Sequence, residues 1–212
     1  MTPEQLAAHL RVDRYGDFVL TDAIRPAPNV PVTPRQGFRT EVYRDARAGL
    51  QVPVLAAAVS RERLFDVFLD LLGPLGEVVD LVLETSHASD GATHRDLFRE
   101  HIDLPVLQSC FLDFENLLLN DGCTGTAVIS ASKPMEVQFD EHKLLIVYAH
   151  DLRPFERVME RFGVGREDGL RLITEGEHLH STEPQHSEAF EQLCFRIGVG
   201  EPAEHVNWEG TD

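Results

Sequence analysis

The chain of 212 residues is short of lysine. Only Lys133 and Lys143 are lysines, the remaining cations are arginines, and 19 basic residues face 36 acidic ones for a formal charge of −17. Nucleic-acid binding needs clustered Lys and Arg against phosphate, so this balance excludes it as an expectation, and an anionic membrane surface with it. Cysteine is scarce too. Cys110, Cys123 and Cys194 are odd in number and form no CxxC pair, which excludes a zinc ribbon or a redox dithiol and predicts reduced, mostly buried thiols in a cytosolic protein. No apolar run approaches ~18 residues and the N-terminus carries no basic segment followed by an apolar one, so neither a membrane span nor a signal peptide is expected. Motifs are missing as well: there is no HExxH, GxSxG or P-loop, and the glycines of "GVGREDG" (163–169) fall between a predicted helix and strand, where a dinucleotide fingerprint does not belong.

What is present is a well-patterned α+β chain. Hydrophobic residues make up 42% and charged residues 26%, ordinary for a globular domain able to build its own core. Thr2-Pro3 reads as the start of a helix reaching Leu10. "GDFVLTDA" (16–23) reads as a strand. Prolines 26, 28, 31 and 34 then enforce an extended loop. "FRTEVYRD" (38–45) and the apolar run "QVPVLAAAVS" (51–60) read as strands, and "RERLFDVFLDLLG" (61–73) as a helix stopped by Gly73-Pro74. "EVVDLVLET" (77–85) reads as a strand, "HRDLFREHI" (94–102) as a helix and "VLQSCFLDFENLLLN" (106–120) as a longer one. Beyond Gly122 come the strands "GTAVIS", "MEVQFD" and "KLLIVYAH", the helix "RPFERVMERFG", the strand "GLRLITE" (169–175) and the helix "SEAFEQLCFRI" (187–197).

The order of elements starts again midway. A shift of ninety pairs Phe65 with Phe155, Asp66 with Glu156, Leu69 with Met159, Asp70 with Glu160 and Gly73 with Gly163. A shift of 92 pairs His94 with His186 and Phe98 with Phe190. The expectation is an internal duplication with halves at 1–106 and 107–199, each roughly α-β-β-β-α-β-α, and a polar tail at 200–212. Such units make mostly antiparallel sheet covered by helices. The element order resembles that of secretion-chaperone-like α+β folds. That implies an acidic polypeptide-binding protein, although a likeness of fold fixes no function.

The chemistry-bearing residues gather in two loops. In "TEGEHLHSTEPQH" (174–186), Glu175, Glu177, His178, His180, Glu183 and His186 are possible metal ligands. His178 and His180 are two apart, so on a strand both rings fall on one face. The first half offers Glu84, His87, Asp90 and His94 in the corresponding place. His87, His94, His178, His180 and His186 are therefore the candidate metal set, with zinc as the ion their chemistry suits. The plainer reading is two polar loops before helices, with Thr93 and Asp96 as a capping box and Thr182 as a cap before Pro184. Cys123 is the most exposed thiol expected, with no cationic neighbour in sequence to activate it. Two functions follow. The first is a non-enzymatic, cofactor-free cytosolic adaptor or chaperone-like protein that binds another protein or itself. The alternative is a metal-dependent, hydrolase-like enzyme built on the histidine loops.

Overall fold

The computed structural model describes residues 2–28, 30, 32–45, 49–87 and 94–199. In chain order the elements are α1 (Pro3–Leu10), β1 (Arg14–Tyr15), β2 (Phe18–Val19), β3 (Ile24–Pro26), β4 (Gly37–Asp45), β5 (Leu50–Ala58), α2 (Arg61–Leu72), β6 (Val78–Thr85), β7 (Arg95–Asp103), α3 (Leu104–Asp113) and α4 (Glu115–Asn120). They continue with β8 (Thr124–Ser130), β9 (Met135–Phe139), β10 (Leu145–Ala149), α5 (Arg153–Arg161), β11 (His178–His180) and α6 (Pro184–Ile197). Seven strands form one sheet in the order β4-β5-β10-β9-β8-β6-β7, each neighbour antiparallel to the next. The fold is thus α+β with a mostly antiparallel sheet.

Period-two alternation decides which face each residue buries. Leu55, Val128, Val137 and Val147 face α2, α3, α4, α5 and α6, which lie on one side. The centre of that layer is Phe68 of α2, whose ring centroid is 5.0 Å from Phe139 and 5.5 Å from Phe111. The opposite face carries a smaller core, in which Ala56 and Ala58 of β5 and Leu144, just before β10, meet Phe18, Leu20, Ile24, Leu170 and Leu172. β5 is therefore buried on both faces, which is why its sequence runs apolar without alternation.

Several predicted elements take another form. "HRDLFREHI" is not a helix but the edge strand β7. Its register slips at a bulge opposite Asp80, and His101 takes a φ of 54° there. The bulge resets the phase, so Leu97 and Ile102, five apart, both point inward, while the helix-like pair Phe98 and Ile102 does not share a face, Phe98 being exposed. The predicted capping box fails with it: Asp96 is a strand residue, and Thr93 lies outside the described residues. "VLQSCFLDFENLLLN" breaks at Phe114 into α3 and α4. "GDFVLTDA" contributes only β2, folded back on β1 around Gly16 at φ 64°. "GLRLITE" buries Leu170, Leu172 and Ile173, but its backbone pairs with no strand. The Leu170 amide goes to the Glu167 carbonyl and the Leu172 amide to the Glu175 carboxylate. The polar tail at 200–212 lies outside the described residues.

The duplication is not confirmed, and the two predicted halves meet at two seams of the sheet: β5 pairs with β10, with Leu55 opposite Val147, and β6 pairs with β8. β4-β5-α2 and β9-β10-α5 are each a hairpin followed by a helix. Beyond these units the halves differ. β6 and β7 extend the far edge beside β8, while β11 leaves the main sheet to pair with β3.

Candidate functional site

The polar side chains collect at one end of the sheet, where β6 ends, β7 and β8 begin, and β9 turns into β10. The β3–β11 ribbon lies across this end. The Gly122 amide donates to the Ser181 carbonyl and the Ser181 amide to the Ala23 carbonyl. A Cβ at Gly122 would sit 2.5 Å from the Ala23 carbonyl oxygen and 2.8 Å from that of Ser181, so only glycine permits this approach.

Three histidines converge here. His142 stands in the tight turn between β9 and β10, which Asp140 holds by accepting from the Leu144 amide at 2.8 Å. His178 and His180 occupy alternate positions of β11, facing the same way. The ring centroids are 4.8 Å (His142–His178), 4.9 Å (His142–His180) and 5.2 Å (His178–His180) apart. One nitrogen of each ring lies within 4.8 Å of those of the other two. The Nδ1 atoms are all committed: His142 to Asp140 Oδ2 at 2.9 Å, His178 to the Gly176 carbonyl at 2.8 Å, and His180 to the Gly122 carbonyl at 2.7 Å. Each of these partners can only accept, so each ring donates from Nδ1 and keeps its lone pair on Nε2. Rings oriented in this way by a carboxylate or carbonyl are what metal-ligating imidazoles require. Zn–N bonds of 2.0–2.1 Å in a tetrahedron place nitrogens ~3.3 Å apart, so modest ring rotations would close the set around an ion and leave one position open.

The rings differ in basicity. Burial disfavours the His142 cation, but the hydrogen bond and charge of Asp140, helped by Glu141, overcome this and hold its pKa above the usual value. For His180, burial and the neighbouring His142 and His178 push the pKa down.

A second cluster surrounds Asp121, whose carboxylate is fully buried. His87 Nε2 donates to Oδ2 at 2.7 Å, the Cys123 amide to Oδ1 at 3.2 Å, and the Thr124 and Thr182 hydroxyls complete the shell. Desolvation alone would raise this pKa, but the hydrogen bonds and the His87 charge outweigh it and the net shift is downward. His186, in the first turn of α6, has Nδ1 3.7 Å from Asp121 Oδ1, and that nitrogen accepts from the Glu183 amide at 3.2 Å. Fully buried Lys143 donates to the Thr124 carbonyl at 2.8 Å. Burial drives its pKa down to about 8 against the pull of Asp121, Asp140 and Glu141. His87, Asp121 and Cys123 also come within 4.8 Å of one another. However, Asp121 is saturated with protein donors and has little left to offer an ion.

A third group, Glu84, His94 and Asp96, lies at the edge of the sheet, with His94 Nε2 3.1 Å from Asp96 Oδ1. Burial raises the Glu84 pKa, and the nearby Asp96 and Glu141 add to this.

Of the five predicted ligands, the structure therefore brings together His178 and His180. It places His87 and His186 on either side of Asp121 and His94 apart from both. His94 stands immediately before the strand β7, not in the first turn of a helix. Glu175 is held by Arg39 and the Leu172 amide, Glu183 precedes α6, Glu177 is exposed, and Asp90 lies outside the described residues. Thr182 serves Asp121 rather than the α6 cap, which is Glu183. The third converging ring, His142, was not among the predicted ligands. The available signal was a histidine in the turn "DEHK" between two predicted strands. Cys110 and Cys194 are buried as expected, and Cys123 is half-buried.

Compared with family models, curated proteins and solved structures, the chain matches none.

Proposed function

We propose that the chain is a metal-dependent protein that holds a zinc-class divalent ion on Nε2 of His142, His178 and His180 and uses the open fourth position for hydrolase-type chemistry. The observation that carries this reading is the shared orientation of the rings, each with Nδ1 pinned to an acceptor. Three neutral imidazoles leave the ion its full charge, which suits it to activate a bound water. Neutral nitrogen ligands also favour zinc over magnesium or calcium. Native mass spectrometry of tag-free protein, equilibrated with zinc and desalted, tests this. One ion per chain is expected. A bare chain mass at micromolar zinc overturns the proposal.

A second reading, an adaptor for another polypeptide, draws on Phe195 of α6, which is 91% exposed, and on half-exposed Leu112 and Val106 of α3. A co-purified polypeptide in the same mass spectrum would favour it. The free thiols fit a reducing compartment such as the cytosol, and the paired β-β-α units fit descent from one duplicated half; both are offered as part of this reading.

A further inference from the structure

At the first turns of α2 and α6 and the last turn of α4 is a cavity of about 180 Å³, and none of the three converging histidines lines it. Every residue that does line it is polar. Small-molecule pockets are mostly apolar with a few polar groups, so a wholly polar lining restricts what can bind here. Two of its side chains are almost completely buried, His186 at 4% and Asn120 at 8% exposed. His186 Nδ1 accepts from the Glu183 amide, so Nε2 carries the N–H of the ring. Asn120 Oδ1 accepts from the Asp22 amide at 3.2 Å, which leaves its NH2 to donate elsewhere. Neither His186 Nε2 nor Asn120 Nδ2 has a hydrogen-bond partner among the described residues, yet neither is sealed from a water-sized group. Two buried donors therefore open into the cavity, where water or a ligand oxygen must answer them.

We propose that this cavity binds a small neutral polyol, of tetritol to pentose size, through adjacent hydroxyls. The charges around it alternate in sign. Arg61 Nη1 donates to Asp22 Oδ2 at 3.0 Å, and Arg25 Nη2 lies 3.5 Å from Asp22 Oδ1. Glu183 stands beside His186, and the buried Asp121 carboxylate lies 3.7 Å from His186 Nδ1. An anion here would face Asp22, Glu183 and Asp121, and a cation would face Arg61 and Arg25. A hydroxyl suits both signs, because it accepts and donates at once. It takes the N–H of His186 or Asn120 and gives its own proton to the Glu183 or Asp22 carboxylate beside that donor. The size agrees: a cavity of ~150 Å³ holds benzene, so a four-carbon polyol is enclosed here and a pentose is held by one edge.

The test is a saturation-transfer NMR titration of the full chain with erythritol, in glycerol-free buffer, on zinc-free and zinc-loaded protein. Saturable binding with a Kd of about 1 mM is expected in both, a reasonable affinity for a ligand of this size. 1,4-Butanediol lacks the two inner hydroxyls, and erythronate replaces one end with a carboxylate; each should bind at least tenfold more weakly. Asn120→Asp keeps the acceptor for the Asp22 amide and removes the NH2, so it should weaken erythritol at least tenfold. Ser181→Leu places a larger side chain in the cavity from an exposed position, so it should abolish binding with the circular dichroism spectrum intact, and it decides the matter if Asn120→Asp does not fold. Butanediol or erythronate binding as tightly as erythritol overturns the proposal. So does unchanged affinity in Ser181→Leu. Binding seen only with zinc loaded would place the hydroxyls on the ion and refute the cavity, whereas binding without zinc supports it whether or not the metal proposal survives.

Discussion

Two groups of histidines stand at the same end of the sheet, and they are built in opposite ways. Around Asp121 the donors point inward at one carboxylate: His87, the Cys123 amide, Thr124 and Thr182 saturate it, and His186 packs alongside. Around His142, His178 and His180 each ring gives its Nδ1 to a separate carboxylate or carbonyl, which leaves Nε2 as its basic nitrogen. The first arrangement satisfies a buried charge. The second leaves a basic nitrogen on each of three neighbouring rings, where water, a proton or a cation can bind. Proximity of His, Cys and Asp alone does not distinguish the two. The direction of the hydrogen bonds does.

The largest expected effect breaks the comparison at the metal. His180→Ala should weaken zinc binding by at least a hundredfold, read by competition with a chromophoric chelator, because two imidazoles remain where three were needed. His87→Ala should leave zinc affinity within twofold, since its ring belongs to Asp121. Equal losses in the two variants would show that both clusters share one ion and would refute the distinction drawn here.

The next effect is on stability. Asp121→Asn leaves several buried donors facing an amide that can accept from fewer of them and must place an NH2 of its own. A cost of about 3 kcal/mol is expected in urea unfolding at neutral pH. The sign with pH follows from the lowered folded pKa. The ionised Asp121 contributes its full stability above the unfolded-state value of about 3.9 and loses it as pH falls through the folded value. The variant's deficit should therefore shrink at acid pH. A constant deficit from neutral to strongly acid pH would show that Asp121 is not charged in the fold.

How much of this was legible in the sequence differs by element, for physical reasons. Strands whose apolar residues alternate or run continuously, such as β5 and β8 to β10, were readable because burial on one or two faces sets the pattern. β7 was not, because a bulge rephased its inward residues. Leu170 and Leu172 imitate a strand because they fill the second core without a partner strand. At the site, His178 and His180 were readable as a pair two apart on a strand. His142 lies 36 residues before His178, on another hairpin, and only the tertiary fold brings the ribbon over the β9–β10 turn. The Asp121 cluster was hidden for the same reason. Its carboxylate reads as an ordinary turn residue before Gly122, and its donors come from its own turn and from two distant segments, at His87 and Thr182.

The smallest effect sharpens the comparison through Asp140, the carboxylate that accepts from His142 Nδ1 where His178 and His180 have backbone carbonyls. Because the His142 pKa is raised in the fold, its protonation stabilises the metal-free chain below the unfolded value of about 6.5. That gain is lost as pH rises through the folded value. Zinc requires the same ring neutral, so its stabilisation must run the other way: large near pH 8, where ion at a hundredfold excess over Kd adds about 2.7 kcal/mol, and fading toward pH 5.5 as protons compete. Asp140→Asn should flatten the metal-free dependence and weaken zinc about tenfold at pH 8, the usual scale for loss of an orienting partner. The readout is the zinc-induced shift in unfolding temperature across pH, in parent and variant. If the variant keeps the parent's zinc affinity and pH profile, Asp140 neither orients nor charges His142, and the turn alone positions that ring.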